Sequence, residues 1–408
     1  MTSTLNPADE YPAGIPAFPM TRATGCPFDP PPALRAEQQQ GPLVKVRLWD
    51  GSTPWLVTRY ADQRALLSDP RVSADSAQPG FPLHAPVQGT SGISFIQMDD
   101  PEHARLRRMV TAPFAIKRVE AMRPAVQKIV DDLIDVMLAG PTPVDLVEAF
   151  ALPVPSLVIC ELLGVPYTEH DFFQTNSKVL IKRDVPPEQR AAARANLAGY
   201  LGDLMAEKMA SPADDLLSGL VARVKAGELS RDEAAQMGVL LLIAGHETTA
   251  NMIALGTLAL LENPGELALL RDTDDPELVA SAVDELLRYL NITHSGRRRL
   301  ALDDIEISGE LIRAGDGIIM PNDIGNRDPD VFPDPDLLDI RRDARHHVAF
   351  GFGVHQCLGQ PLARLELQVV YSTLYRRIPT LRLTTDLERL PFKHDGNVYG
   401  VYELPVAW

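Results

Sequence analysis

Cys357 carries the strongest chemical signal, in the run Phe350-Gly351-Phe352-Gly353-Val354-His355-Gln356-Cys357-Leu358-Gly359. Glycines shortly before a cysteine let the backbone turn tightly and come close to a flat ligand. After it, Leu362, Leu365, Leu367, Val369, Val370 and Leu374 recur at helical spacing. The cysteine therefore stands at a helix N-terminus, where free N–H groups and the dipole favour a thiolate. A thiolate so held is a candidate fifth ligand to a heme iron. A lone cysteine would more simply be a small buried hydrophobe, and it is the surrounding string that sets this one apart. A second constellation is Ala244-Gly245-His246-Glu247-Thr248-Thr249, a small and polar patch inside an apolar run. A carboxylate beside a hydroxyl can hold an ordered water and relay protons. The plainer reading is a kink made by threonine bonding back to its own helix. A third is His103 with Arg107, i and i+4 on one helix face, two cationic donors suited to a carboxylate-bearing ligand.

The elements that would position these groups are mostly helices. Apolar residues fall at helical spacing over 101–118, 122–139, 187–208 and 276–290. The longest helix spans 230–263: Ser230 and Glu233 form a capping box, and Asn263-Pro264 stops it. It is apolar nearly all round, so it is expected to be buried. Its polar middle then conflicts with its surroundings, which is where function tends to sit. His246 reads as a satisfied structural residue. Strand signals are fewer: 44–48 and 55–58 alternate, and 305–307 and 311–312 flank Ser308-Gly309-Glu310 as a hairpin. Near the end, 381–383 and 399–404 are expected to pair. Glu285 and Arg288, at i and i+3 on a helix that Asp275 caps and Pro276 opens, can form an ion pair.

The 408 residues carry 39 basic and 55 acidic side chains, a formal charge of -16, and are 45% hydrophobic. That length buries a large core. The acidic balance disfavours nucleic acid. Cys26, Cys160 and Cys357 are far apart, with neither zinc spacing nor a disulfide framework, which fits a reducing compartment. Residues 1–30 are irregular and proline-rich without the apolar core of a signal peptide. The longest purely apolar stretch, 239–244, is far too short to span a bilayer. A soluble, cytoplasmic, monomeric protein of one domain over 1–408 is expected.

The cysteine run closely resembles the heme loop of the cytochrome P450 superfamily, and the other motifs match that family in order. Ala244-Gly245-His246-Glu247-Thr248 resembles its oxygen-activation motif, Glu285-Leu286-Leu287-Arg288 its E-x-x-R motif, and His103 with Arg107 its H-x-x-x-R pair. The resemblance covers the chain from Pro27 onward and looks like the soluble actinomycete type. It implies a mainly α fold with small β-sheets, a long central helix over the heme and a cysteine loop at 350–359. The cofactor is heme b, with Cys357 as iron ligand. His355, His103, Arg107 and Arg299 would contact the propionates, and Phe350, Gly351, Gly359 and Ala363 would pack against the ring. Arg297 and Arg298 beside Arg299 leave the register of that strand open. Ala244 and Gly245 would leave room for O2, and Glu247 with Thr248 would form the acid–alcohol pair. One departure is Leu337, in Pro335-Asp336-Leu337-Leu338, where the family usually places a basic partner for the E-x-x-R pair. Arg341 and Arg342 are the candidates to replace it.

The activity implied is a heme-thiolate monooxygenase, by hydroxylation or epoxidation, acting on a bulky lipophilic secondary metabolite such as a macrolide or polyketide, terpenoid or steroid-like compound. No nicotinamide or flavin fingerprint appears, so electrons are expected from an iron–sulfur ferredoxin and its reductase. Arg105, Arg108 and Arg364 are docking candidates, or ordinary solvated charges. Substrate contacts are expected from Leu241, Ala244 and Thr248, from Ile292 and Thr293 within 291–294, and from three mobile regions: 78–96 with Phe81 and Leu83, 172–185 with Leu180, and Val398 with Tyr399. Two alternatives remain: a heme-thiolate enzyme that uses peroxide or couples substrates, and a non-enzymatic heme-binding protein.

Overall fold

Ser230 opens the helix about which the molecule is arranged, Arg231–Leu261. Its hydroxyl accepts from the Glu233 N–H at 3.1 Å, while its own N–H donates to Glu233 Oε2 at 2.7 Å. Both bonds satisfy donors that a helix start leaves orphaned. By length and composition this helix could cross a membrane, but 72% of its most apolar window is buried inside the fold. The computed structural model describes residues 14–23, 25–83, 94–181, 185–293, 296–394 and 398–408.

Three helices pack most closely on this hub: Pro153–Leu163, Pro187–Ala210 and the cysteine helix Gln360–Arg377. Gly245 allows the first contact, since a Cβ there would lie 3.1 Å from Ile159 Cδ1. The cysteine helix is pinned where Tyr371 donates its hydroxyl to the Met252 carbonyl at 2.5 Å. Helices Arg123–Ala139 and Pro276–Tyr289 match their sequence-read spans within a residue. The run 101–118 does not stay whole. It divides into Glu102–Thr111, a 3-10 turn Ala112–Phe114 and the helix Ile116–Ala121. Pro113 lacks the N–H that a continuous helix requires.

The sheets are small. The largest runs in the order Leu43–Lys45, Trp55–Val57, Gly317–Met320, Arg297–Ala301, Val72–Ser73. Arg297 pairs with Met320 and Arg299 with Ile318. The expected hairpin joins Ile305–Ile307 to Glu310–Ile312. Ser308 and Gly309 form its turn with φ of 48° and 84°, the positive pair that a tight hairpin turn needs. The expected C-terminal pairing is corrected. Arg382–Leu383 pairs with Pro405–Ala407 instead of 399–404, because Val398 bridges Thr293 and Val401 bridges Phe392.

Candidate functional site

Between the central helix and the cysteine loop lies a cavity of about 330 Å³. Leu241, Ala244, Gly245 and Thr248 line it from the helix, and Phe350, His355, Cys357, Gly359 and Ala363 from the other side. The chain turns into it through Gly351 and Gly353, whose φ values are 76° and 72°. A Cβ on Gly351 would meet Arg297 Nε at 2.9 Å, and one on Gly353 the Leu67 carbonyl oxygen at 2.2 Å. The Cys357 N–H donates to the Phe350 carbonyl at 2.8 Å, closing the loop so that the side chain opens onto the cavity. Burial pushes the Cys357 thiol up; the N–H groups of Gly359 and Gln360 and the charges of Arg297 and Arg107 pull it back. These are the groups that would stabilise a thiolate once a cation faces it.

A cationic rim surrounds the sulfur. The rings of His103 and His355 lie 4.0 Å apart, centroid to centroid. His103 Nδ1 is 3.0 Å from Asp100 Oδ1, while its Nε2 is buried without a partner, as is Nδ1 of His355. Arg107 bonds the Gln356 carbonyl. Burial, then the charges of Arg299, His103 and Arg107, press the His355 imidazole down to about 3. Arg297, also on the cavity wall, donates to the Ala349 carbonyl at 2.9 Å and to Asn322. Among the described residues no group of three His, Cys, Asp or Glu could hold a metal ion. A lone thiolate, orphaned imidazole nitrogens and several arginines fit a planar dianion that brings its own metal, as a porphyrin with two propionates does.

On the opposite wall Thr248 Oγ1 donates to the Ala244 carbonyl at 2.7 Å. Glu247 is buried and lies 3.6 Å from Lys393 Nζ. Burial raises its carboxyl above the usual range, while Lys393 and Asn251 oppose the rise. Behind the site, Glu285 and Arg288 form a two-bonded pair at 2.7 and 2.8 Å, both wholly out of solvent. Arg342 Nε joins Glu285 Oε1 at 3.2 Å. Leu337 is 63% exposed and offers only its carbonyl, which accepts from Arg288. Arg342 thus fills the place where Leu337 departs from the motif, and Arg341 pairs with Asp339.

Of the sequence-read substrate residues, Leu241, Ala244, Thr248, Ile292 and Thr293 line the cavity. Phe81, Leu83, Leu180, Val398 and Tyr399 do not. Tyr399 is buried, stacked on Phe392, with the Arg22 guanidinium 4.2 Å from its ring centre. Residues 84–93, 182–184 and 294, which belong to the expected substrate segments, lie outside the described residues. Of the docking candidates, Arg364 is half-buried, bonded to Asp284 at 2.8 Å and 4.7 Å over the Phe350 ring. Arg105 pairs with Glu102, and Arg108 is exposed. Phe95 and Ile96, from the expected segment 78–96, do line the cavity, whereas sequence reading missed Lys393, Glu366, Ile159 and the cavity position of Arg297. Strand alternation could have found the last, since residues 297 and 299 share a face.

A family model described as Cytochrome P450 matches residues 187–378. The chain is 57% identical to cytochrome P450 GfsF of Streptomyces halstedii, over all of this chain and 99% of that one. A crystal structure of GfsF superposes with a TM-score of 0.91 at 58% identity, covering 96% of this chain and 100% of that one. The structure of a mycinamicin VIII methyl hydroxylase from Micromonospora griseorubida, bound to mycinamicin VIII, matches with a TM-score of 0.89 at 43% identity, covering 97% and 100%. A 20-oxo-5-O-mycaminosyltylactone 23-monooxygenase of Streptomyces fradiae is 44% identical over 96% of this chain and 92% of that one.

Proposed function

Since this chain belongs to the cytochrome P450 family of heme monooxygenases, we propose that it inserts one atom of O2 into a bulky, lipophilic secondary metabolite of the macrolide or polyketide kind. Two relatives are named for work on compounds of this type, one of them with mycinamicin VIII bound. The balance is O2, two electrons and two protons per substrate C–H, giving an alcohol and water. The second reading of the same balance is epoxidation of an alkene.

The heme, when bound, supplies O2 binding and reduction with strong electron donation from its thiolate ligand. The chain's own residues do the rest. Cys357 would hold the iron, Arg107, Arg297 and Arg299 would neutralise the propionates, and the His103 and His355 rings would hydrogen-bond them. Ala244 and Gly245 keep the helix wall low. Thr248 holds a water, and Glu247 passes protons to it from the interior. Leu241, Ile292 and Thr293 supply apolar contact that orients substrate and excludes bulk water. Electrons come from a ferredoxin and its reductase, in the cytoplasm.

One observation carries this reading: the Cys357 sulfur and the Thr248 side chain line the same cavity, with the cationic rim around the first. The test is the reduced, carbon-monoxide-bound spectrum of wild type and Cys357→Ser. The red-shifted band should belong to wild type alone. A band that survives the substitution rejects Cys357 as the ligand. A panel of macrolides, terpenoids and steroids, scored by low-to-high-spin shift and then by product, identifies the substrate class.

A further inference from the structure

Lys393 lies far from Glu247 in sequence, yet its ammonium sits 3.6 Å from the Glu247 carboxylate, and the two side chains are only 12% and 9% exposed. A hairpin holds it there. The Lys393 N–H donates to the Gly400 carbonyl at 2.8 Å, Phe392 bridges Val401, and the Tyr402 N–H donates to the Pro391 carbonyl at 2.8 Å. The hairpin rests on the same turn of the central helix. A Cβ on Gly400 would fall 1.8 Å from Asn251 Oδ1, so only glycine permits this approach. Asn251 in turn donates its amide to the Glu247 carbonyl at 2.9 Å.

We propose that Lys393 is a positioning residue for proton delivery, orienting the Glu247 side chain and favouring its ionised form at the start of the path that ends at Thr248. This rests on the acid–alcohol role given above to Glu247 and Thr248. Taking a carboxylate out of water favours its neutral form, and a cation within about 4–6 Å opposes that preference. An ionised carboxylate can accept a proton from the interior and hand it on. Titratable or charged groups on the packed elements include His246 on the same helix, Glu148 on Val147–Ala151, Cys160 on Pro153–Leu163, Lys208 on Pro187–Ala210 and Glu366, Tyr371 and Tyr375 on the cysteine helix. The hairpin adds His394, Tyr399 and Tyr402. Of these and Lys393, only Lys393 has a charge that acts on the Glu247 carboxyl, aided by the Asn251 amide.

The hairpin also reaches the substrate side. Val398 bridges Thr293, and the Tyr399 N–H donates to the Ile292 carbonyl at 2.8 Å. The lysine is therefore built into the wall that faces the substrate without lining the cavity itself.

The test compares holoenzymes of wild type, Lys393→Met, Lys393→Arg and Glu247→Gln, each checked for an intact carbon-monoxide spectrum and an unchanged spin-shift Kd. The Glu247 carboxyl is followed by infrared difference spectroscopy against pH, with Glu247→Gln identifying its band. Product formed per O2 consumed is followed over the same pH range. In Lys393→Met the ratio of ionised to neutral carboxyl at the wild-type midpoint should fall about tenfold. Coupled turnover should fall with it at low pH and recover at high pH, and Lys393→Arg should restore both. A Lys393→Met titration that superposes on wild type, while Glu247→Gln lowers coupling, overturns the lysine's role and leaves the relay standing. Unchanged coupling in Glu247→Gln overturns the relay and this proposal with it.

Discussion

Arg342 Nε lies 3.2 Å from Glu285 Oε1, 57 residues away along the chain, and completes a buried pair that Arg288 begins. Glu285 is the counter-charge of both arginines, and Arg288 has no solvent to fall back on. Glu285→Ala should therefore cost about 3–5 kcal/mol, the range for leaving a buried charge uncompensated. Arg342 is 13% exposed, so Arg342→Ala should cost less, about 1 kcal/mol. Denaturant midpoints and the heme-to-protein ratio of purified variants measure both. Equal losses would mean that Arg342, not Arg288, is the main partner.

Gly353 and Gly359 flank Cys357 but should respond oppositely to alanine. At Gly353, φ is 72° and the new Cβ would press on the Leu67 backbone oxygen at 2.2 Å. The left-handed conformation alone costs roughly 1–2 kcal/mol, and a backbone oxygen cannot move aside cheaply. At Gly359, φ is -79° and the nearest atoms, Cys357 Sγ and Phe114 Cε1, are 4.0 Å away. Gly353→Ala should misfold or lose its heme, whereas the heme-free Gly359→Ala chain should keep a wild-type Tm. Equal Tm losses in the two heme-free variants would contradict the loop geometry.

The parts of the site legible in the sequence are those made by neighbours along the chain. The Ser230–Glu233 cap, the Glu285–Arg288 pair and the cysteine loop each lie within a few residues, and all three form as read. The run 101–118 read as one helix because its apolar period continues through Pro113, which breaks the backbone without disturbing the pattern. Lys393 could not be read. It reaches Glu247 only because the hairpin and Gly400 bring it there, and no local spacing records that. The Leu337 departure narrowed the third partner to two adjacent arginines, and the turn from Asp339 to Arg342 decided between them.

Thr248 presents its hydroxyl to the cavity while bonding back to Ala244 at 2.7 Å. Thr248→Val keeps the shape and removes the hydroxyl. It should leave substrate affinity and O2 uptake near wild type but cut product per O2 severalfold, with peroxide making up the difference. Thr248→Ser should stay close to wild type. The ratio of peroxide to product in each variant decides. An unchanged ratio in Thr248→Val would reduce the hydroxyl to a helix-bonding role.

Glu366 is 2% exposed on the cysteine helix, lines the same cavity, and its Oε2 has no partner. Burial raises its carboxyl well above the usual range, and no opposing group pulls it back. Burial therefore favours its neutral form in the folded chain, while the unfolded chain leaves it free to ionise. Its contribution to stability is complete below the unfolded carboxylate range and declines as pH rises toward the folded value. Glu366→Gln replaces a side chain whose charge burial disfavours with one that is always neutral. The variant should match wild type near pH 4–5 and become the more stable of the two toward pH 8. Melting temperatures of the two proteins across that range test it. A Glu366→Gln protein that melts well below wild type at pH 8 would show an ionised, compensated carboxylate at that position.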